Sequence, residues 1–321
     1  MALVCALLLC GNASAASLVA LDLAEIVDQT APSVVEVFTE TKQVSGWFQE
    51  YVTEGAGSGV VLTEDGYIVT NRHVIDGAAT VKVRLNNGRT YPATVTGKDA
   101  KTDLAVLKID AEGLTAAKLA DSSKTRAGDF VIAIGNPLGE LGGTVTEGIV
   151  SALDREITID GQTMTLLQTS AAVSPGNSGG GLFNLDGELV GVVSAKSSGS
   201  GIEGLAFAIP SNTAGEIARE LMENGYVAGR PQLGVSVARL TRPGQSTYFD
   251  QPGVYVVQAA KENGLRAGDH ILQIDGTAIQ STTDISAVLS RHSAGDTVVV
   301  ELVRGGEQAA VNVTLTEKGP E

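Results

Sequence analysis

Hydrophobic residues fall into short runs along the first two thirds of the chain, and turns rich in glycine, asparagine and aspartate separate these runs. Some runs alternate apolar with polar residues, as half-buried strands do, and others are continuously apolar. Strand-like runs spaced about 8 to 12 residues apart are typical of an all-β barrel or sandwich. The predicted strands cover residues 33–39, 60–62, 67–70, 80–85, 93–96, 103–109, 130–134, 144–151 and 189–194.

Helical periodicity is confined to two stretches of this part, residues 18–29 and 213–224. Ser211 or Asn212 is the predicted N-cap of the second helix, and the Asn-Gly pair that follows it ends the helix. Residues 41–54 are polar with interspersed aromatic side chains and are predicted to form a loop.

The pattern changes after the Gly-Arg-Pro sequence at residues 229–231, which is typical of a linker. Beyond it, one predicted helix at residues 283–291 interrupts a set of strands. This part therefore predicts a second, α+β domain of about 85 residues, large enough to fold by itself. Its predicted strands cover residues 233–237, 253–258, 270–274, 297–303 and 310–316.

The first 21 residues carry no charge, and an A-x-A pattern occurs at residues 13–15. These features predict a secretory signal peptide over residues 1–20, with a retained membrane anchor as the alternative. We therefore expect an exported protein, periplasmic or extracellular. Because Cys5 and Cys10 are the only cysteines, the mature chain is expected to lack disulfides and thiolate chemistry.

Charge and motif content exclude several classes of function. The 22 Lys and Arg residues form no basic cluster, and the net charge is −15, which argues against nucleic-acid binding and against adhesion to anionic membranes. No metal-ligand spacing or phosphate-binding loop occurs, so neither a metal nor a cofactor is predicted. The G-x-G-x-x-G match at residues 199–204 precedes a strand-like segment, whereas a dinucleotide site requires a helix there.

A glycine-rich stretch at residues 175–181 holds Ser178. Glycine adds little to a helix, strand or core, but it lets backbone N–H groups converge on one point. A hydroxyl beside such amides suits acyl transfer, because the oxygen attacks a carbonyl and the amides hold the oxyanion. The alternative is a glycine-rich hairpin with an incidental serine.

Candidates for a base and an orienting acid precede that serine. His73 ends an apolar strand-like run, and Asp103 begins another, where an unpaired carboxylate would be costly. The order His, Asp, Ser is that of the chymotrypsin barrels. The G-x-S-x-G match at Ser178 fits an α/β-hydrolase poorly, because His270 or His292 of the second domain would have to serve. We interpret His270 as a strand residue and His292 as a solvated charge at a helix C-terminus.

Several longer stretches together resemble the HtrA (Deg) family of trypsin-like serine proteases with one C-terminal PDZ domain. The resemblance implies two six-stranded β-barrels of trypsin-like type and a small α+β PDZ domain, a mainly β fold. It implies a protease domain over residues 21–213, a helix and linker over 214–230, and a PDZ domain over 231–317. The matching stretches are GSGVV at 57–61, TNRHV at 70–74, TDLAVLK at 102–108, AIGNP at 133–137, TEGIVS at 146–151, GNSGG at 176–180, FAIPS at 207–211 and LRAGDHILQIDG at 265–276.

The resemblance also assigns roles to residues. His73 would be the general base, Asp103 its orienting carboxylate and Ser178 the nucleophile. An oxyanion hole would form at Gly176, Asn177 and Ser178. The specificity pocket would be lined by Val173, Gly204, Leu205 and Ala206, which predicts cleavage after small or medium aliphatic residues. Leu233, Gly234 and Val235 would capture a C-terminal carboxylate while the peptide adds to a strand edge.

Two positions depart from the family pattern, since Ser170 stands where aspartate is frequent and Ser174 where asparagine is. Neither change removes a catalytic group. The expected activity is ATP-independent cleavage of misfolded or damaged exported proteins by a homotrimer, with C-terminal peptides as PDZ ligands. A non-proteolytic chaperone or scaffold is the alternative, and the intact set of His73, Asp103 and Ser178 argues against it.

Overall fold

The predicted leader, residues 1–20, lies outside the part of the chain that the structure describes. In the described part, no helix is both long and apolar enough to cross a bilayer. The nature of residues 1–20 therefore stays a prediction. The computed structural model describes residues 23–44, 50–135, 143–159, 162–174, 176–194, 205–240, 251–259, 263–317 and 319.

The first barrel contains six antiparallel strands in the closed order β1-β2-β3-β6-β5-β4. A short helix precedes it, and a single helical turn connects β3 to β4. The elements are α1 (Leu23–Thr30), β1 (Val34–Val44), β2 (Glu50–Val61), β3 (Tyr67–Asn71), α2 (Arg72–Ile75), β4 (Thr80–Arg84), β5 (Thr90–Asp99) and β6 (Leu104–Ile109).

The second barrel follows in the sheet order β11-β8-β9-β10-β13-β12-β7, and a pairing of β11 with β12 closes six of these strands into a ring. The seventh, β7, pairs in parallel with β12 outside that ring. The strands are β7 (Lys118–Leu119), β8 (Phe130–Gly135), β9 (Thr144–Ile159), β10 (Gln162–Thr169), β11 (Gly181–Phe183), β12 (Glu188–Ser194) and β13 (Ala206–Pro210).

Continuously apolar strands are those buried on both faces. In β6, Leu104 and Val106 pack into the core between the barrels, while Ala105 and Leu107 fill the first barrel. All four are 0% exposed. The unbroken apolar run that predicted this strand therefore reflects burial on both sides of the sheet.

The predicted loop over residues 41–54 is wrong within the described residues. β1 continues to Val44 and β2 begins at Glu50, and these two residues are register partners. The pairing passes through polar positions such as Thr41 and Thr53. Backbone hydrogen bonds extend this hairpin beyond the core, so its outer part carries no hydrophobic signal.

Helix α3 (Ser211–Asn224) packs its apolar face against the barrels and is followed by Gly225 at φ +81°, as predicted. Its predicted N-cap is wrong, because Pro210 occupies that position. The Ser211 hydroxyl instead donates to the carbonyl oxygen of Ala120 at 2.8 Å. This buried serine ties the helix to the loop after β7.

The second domain has its own core and a five-stranded path, β15-β16-β17-β19-β20, with β18 paired to β17. Ser281 and Asp284 form a capping box at the start of its helix, and β14 pairs with β21. The elements are β14 (Pro231–Gln232), β15 (Val235–Leu240), β16 (Gly253–Ala259), β17 (His270–Ile274), β18 (Thr277–Ala278), α4 (Thr282–Leu289), β19 (Thr297–Arg304), β20 (Glu307–Thr314) and β21 (Thr316–Glu317). The predicted mainly β fold, two barrels and a smaller α+β domain, is confirmed.

An ion pair joins the linker to the first barrel. The Arg230 guanidinium binds both carboxylate oxygens of Asp99, at 3.1 and 2.8 Å, and Asp99 is only 5% exposed. Thr102 donates its backbone N–H and its hydroxyl to the same carboxylate. Two-point binding by a guanidinium fixes orientation as well as distance. The linker is therefore anchored four residues before Asp103.

Candidate active site

The structure brings the three predicted catalytic residues together in the cleft between the barrels. Nε2 of His73 lies 3.0 Å from Oγ of Ser178, and Nδ1 of His73 lies 2.6 Å from Oδ2 of Asp103. The Ser178 residue is 6% exposed, and the His73 and Asp103 side chains are 20% and 13% exposed. This hydrogen-bonded series can pass a proton from the serine hydroxyl to the imidazole while the carboxylate faces the other ring nitrogen.

The position of His73 follows from the end of β3. Asn71 closes that strand, and the single turn α2 starts at Arg72, so His73 lies in the turn directly after the strand end. The Arg72 N–H donates to the Asp103 carbonyl oxygen at 2.8 Å, and the Asn71 side-chain amide donates to it at 3.2 Å. The strand end bearing the histidine and the residue bearing the acid are thus bonded through the backbone.

Asp103 has a left-handed backbone conformation, with φ +56°. Aspartate tolerates this region better than bulky residues do. Its Oδ1 accepts the backbone N–H of His73 at 3.0 Å, while Oδ2 faces the imidazole. Both carboxylate oxygens therefore contact the same histidine, one through its backbone and one through its ring.

The loop around Ser178 is tightly bonded to itself. The Asn177 N–H donates to the Ser174 carbonyl oxygen at 3.0 Å, and the Gly180 N–H donates to the Asn177 carbonyl oxygen at 2.9 Å. Gly176, at φ +100°, adopts a conformation that favours glycine. Asn177 is 3% exposed, and its buried Oδ1 has no hydrogen-bond partner. The backbone N–H and carbonyl of Asn177 are thus bonded within the loop, whereas its side-chain oxygen is not.

The two positions that depart from the family pattern both take part in backbone bonding. The Ser170 hydroxyl accepts the Ile149 N–H at 3.0 Å, and the Ser174 carbonyl receives the Asn177 N–H. Pro175 lies outside the described residues. Ser170 therefore connects the segment before the nucleophile loop to β9.

The predicted pocket residues lie on two neighbouring segments. Leu205 and Ala206 stand at the start of β13, whose partner β10 leads into the segment that holds Val173. Val173 and Leu205 are partly buried and pack against apolar clusters, and Ala206 is 3% exposed. Gly204 lies outside the described residues. The described members of this set are aliphatic.

The predicted carboxylate-binding loop begins β15, an edge strand of its sheet. Leu233 is 3% exposed and belongs to the domain core, and Gly234 has φ +67°. Asn263 supports the loop, because its side-chain amide donates to the Leu233 carbonyl at 2.7 Å and to the Gly234 carbonyl at 3.3 Å. Gly234 and Val235 also line an open cavity of about 730 Å³.

The two histidines of the second domain do not approach Ser178 in any described contact. His270 begins β17, as predicted, and its ring stacks on Tyr255 with centroids 4.4 Å apart. Burial lowers the pKa of His270. His292 is less solvated than predicted, since its ring nitrogens lie 3.4 Å from Asp275 and 3.8 Å from Asp296. No cluster of three or more metal-ligating side chains occurs among the described residues.

Sequence reasoning missed Ser58 and Thr70 as parts of this site. Ser58 contacts both Gly176 and Ser178, and Thr70 donates to the Ser58 carbonyl oxygen at 2.6 Å. The available signal was the Gly-Ser-Gly sequence at residues 57–59, which places a small polar residue inside an apolar strand.

Comparison with known proteins gives consistent matches over both domains. The family description "Trypsin-like peptidase domain" matches residues 57–192, and the description "PDZ domain" matches residues 231–315. Among curated relatives, the serine protease Do-like HtrA of Lactobacillus helveticus is 42% identical over 285 residues, which is 82% of this chain and 69% of that protein. The probable periplasmic serine endoprotease DegP-like of Halomonas elongata is 41% identical over 267 residues, 81% of this chain and 56% of that protein.

Solved structures extend the similarity to nearly the whole chain. The HtrA-type protease AlgW with a decapeptide matches with a TM-score of 0.60 and 33% identity, and the match covers 93% of this chain and 99% of that one. The geometry, the two domain matches and these relatives support one assignment. The chain belongs to the HtrA family of serine proteases and is a serine endopeptidase with a trypsin-like peptidase domain and a PDZ domain.

Proposed function

We propose that this enzyme cleaves misfolded or damaged exported proteins without ATP, through an acyl-enzyme formed on Ser178. The single observation that carries the proposal is the series Ser178 Oγ, His73 Nε2, His73 Nδ1 and Asp103 Oδ2, with separations of 3.0 and 2.6 Å across the two hydrogen bonds. Each residue has the chemistry its place requires: a nucleophile, a base and an acceptor that orients the base.

In the acylation half of the reaction, Ser178 Oγ attacks the scissile carbonyl carbon while His73 Nε2 takes the hydroxyl proton. The resulting imidazolium is stabilised by the Asp103 carboxylate beside Nδ1. The tetrahedral intermediate then collapses, the C–N bond breaks, and Nε2 gives its proton to the leaving amine. Water repeats the sequence on the ester, and Ser178 recovers its proton.

The negative oxygen of each tetrahedral intermediate needs donors held in place beforehand. We assign this role to the backbone N–H groups of Gly176 and Ser178, with Asn177 keeping the loop in shape through its bonds to Ser174 and Gly180. Preformed donors in a site of low exposure are worth more than the same donors in water.

The aliphatic character of Val173, Leu205 and Ala206 supports a pocket for small or medium aliphatic side chains. We expect fragments of unfolded casein to end mainly in valine, alanine, isoleucine or leucine, as measured by mass spectrometry of the digest. A majority of cuts after lysine or arginine would contradict this assignment. The same mapping with trypsin, run in parallel, controls for the distribution of sites in the substrate.

The PDZ domain is proposed to bind C-terminal peptides by adding them to β15. That strand ends the sheet path, and α4 packs beside it. Main-chain donors of Leu233, Gly234 and Val235 would take the carboxylate, and the edge of β15 would pair with the peptide backbone. Exposed C-termini occur on damaged proteins, so such binding would bring substrate or effector to the enzyme.

Export and assembly are further parts of the proposal. The uncharged segment at residues 1–20 and the periplasmic endoprotease name of the Halomonas relative support export. The family resemblance supports a homotrimer.

A fluorophosphonate probe tests the proposed nucleophile directly, because the attacking serine oxygen displaces fluoride from phosphorus and remains covalently bound. We expect one label per chain, located by mass spectrometry on the peptide that contains Ser178. Prior replacement of His73 by alanine should slow labelling strongly, since the hydroxyl then lacks its base. A label distributed over several serines, or labelling at an unchanged rate without His73, would refute the assignment.

A further inference from the structure

Ser58 connects the first barrel to the nucleophile loop of the second. It lies on β2 and is 0% exposed. Its hydroxyl donates to the Gly176 carbonyl oxygen at 2.7 Å, and its backbone N–H donates to the Ser178 carbonyl oxygen at 2.8 Å. One residue thus holds the loop on both sides of Asn177.

The loop packs directly against β2, with no space for an added side-chain carbon at Gly179. A Cβ on Gly179 would overlap the Ser58 carbonyl oxygen and the Thr70 hydroxyl, and a Cβ on Gly57 would come within 3.3 Å of the Ser178 carbonyl oxygen. The Thr70 hydroxyl in turn donates to the Ser58 carbonyl at 2.6 Å. The hydroxyl, the backbone N–H and the carbonyl oxygen of Ser58 therefore each make a hydrogen bond.

Holding the carbonyl oxygen of one residue determines where the N–H of the next residue points, because the C=O and N–H of a trans peptide lie on opposite sides of it. Three successive carbonyls are held: that of Gly176 by the Ser58 hydroxyl, that of Asn177 by the Gly180 N–H, and that of Ser178 by the Ser58 N–H. Only the first of these bonds depends on a side chain. It holds the Gly176–Asn177 peptide, whose N–H is that of Asn177 and donates to the Ser174 carbonyl oxygen, so this peptide is fixed on both sides between the N–H groups of Gly176 and Ser178.

We propose that Ser58 is a positioning residue whose hydroxyl fixes the Gly176–Asn177 peptide, which lies between the two donors, so that the backbone N–H groups of Gly176 and Ser178 face the oxyanion. This inference rests on the proposed function. The first barrel, which supplies His73 and Asp103, would then also position the N–H donors of the oxyanion hole. The hydroxyl does not touch substrate, and it acts through the peptide that it holds.

The Ser58→Ala variant keeps the backbone N–H bond to Ser178 and removes only the hydroxyl. With a fluorogenic peptide that has valine before the scissile bond, we expect kcat to fall about tenfold and KM to change less than about twofold, because the lost geometry matters in the transition state. Rates are expressed per folded enzyme, with the folded fraction taken from thermal unfolding.

A second measurement distinguishes misplaced N–H donors in the oxyanion hole from a general loss of order in the active site. A peptidyl boronate forms a tetrahedral adduct on Ser178 and places an oxygen at the oxyanion position, whereas the matching peptide amide makes no adduct. We expect Ser58→Ala to weaken the boronate about tenfold and the amide less than about twofold, since only the adduct resembles the transition state.

Ser211→Ala is the matched control, because Ser211 is also 0% exposed and its hydroxyl also donates to a distant backbone carbonyl, at 2.8 Å. It should lose stability but retain kcat and boronate affinity per folded enzyme. The proposal is overturned if Ser58→Ala keeps parental kcat and boronate affinity, or if it matches Ser211→Ala in both. Activity in a Ser178→Ala variant would instead overturn the proposed function, so the two failures are distinguishable.

Discussion

Replacing Ser178 by alanine is expected to lower casein turnover by about five to six orders of magnitude, the scale seen when a catalytic serine is removed. The variant loses the oxygen that lies 3.0 Å from His73 Nε2. Water would have to attack without a covalent intermediate. The remaining rate would come from substrate binding and the oxyanion donors alone.

The measurement compares parent and Ser178→Ala with and without a hydrophobic C-terminal peptide. We expect the peptide to raise the parent's activity and to bind the variant with unchanged affinity, because the PDZ domain has its own core. Ser33→Ala is a suitable control, since this buried hydroxyl donates to the Thr30 carbonyl at 2.7 Å. Casein cleavage by Ser178→Ala at the parent's rate would remove Ser178 from the mechanism.

If the parent enzyme binds the peptide tightly but does not cleave casein, the result would favour the alternative of a non-proteolytic binder under these conditions. The comparisons favour the peptidase, because the relatives named above are serine proteases over 81–82% of this chain. If neither the parent nor Ser178→Ala cleaves casein, the fluorophosphonate assay would therefore follow, because it needs no protein substrate.

The sequence was most informative where burial dictates residue type. β6 was predicted because both its faces are buried, and β3 because its burial leaves little room for polar residues. The approach of His73, Asp103 and Ser178 could be predicted from their order and from the apolar runs beside them. The strands were predicted from apolar runs in the local sequence, and the catalytic set was predicted from the order of three residues.

Features that depend on contacts across the fold could not be predicted. The Ser58 hydroxyl donates to a carbonyl 118 residues away, and the Gly-Ser-Gly sequence marks an unusual position on the strand without identifying that partner. The outer part of the β1–β2 hairpin is held by backbone pairing, which leaves no hydrophobic pattern. Pro210 is the N-cap of α3, and the Ser211 hydroxyl donates to the carbonyl oxygen of Ala120, 91 residues away, a partner that the local sequence does not indicate.

Changing Asp103 to asparagine is expected to lower kcat by about four orders of magnitude with little change in KM, as judged from the same change in another triad protease. In the parent, Oδ1 accepts the His73 backbone N–H and Oδ2 accepts the ring Nδ1–H. An asparagine has only one acceptor oxygen. If the oxygen serves the backbone N–H, the amide NH₂ faces Nδ1 and favours the tautomer with the proton on Nε2, which cannot accept the Ser178 proton.

We expect Asp103→Asn to lose kcat because the His73 tautomer changes and not because the fold changes. Two observations allow these causes to be separated. Asparagine tolerates the left-handed backbone of Asp103, at φ +56°, about as well as aspartate does. Asp154→Asn is the matched control, because Asp154 also has a positive φ, +50°, but is exposed on β9. Thermal unfolding should shift little in both variants, while only Asp103→Asn loses turnover and slows fluorophosphonate labelling. If Asp103→Asn turned over peptide within about tenfold of the parent, the carboxylate would not be setting the His73 tautomer, because a wrong tautomer costs far more than that.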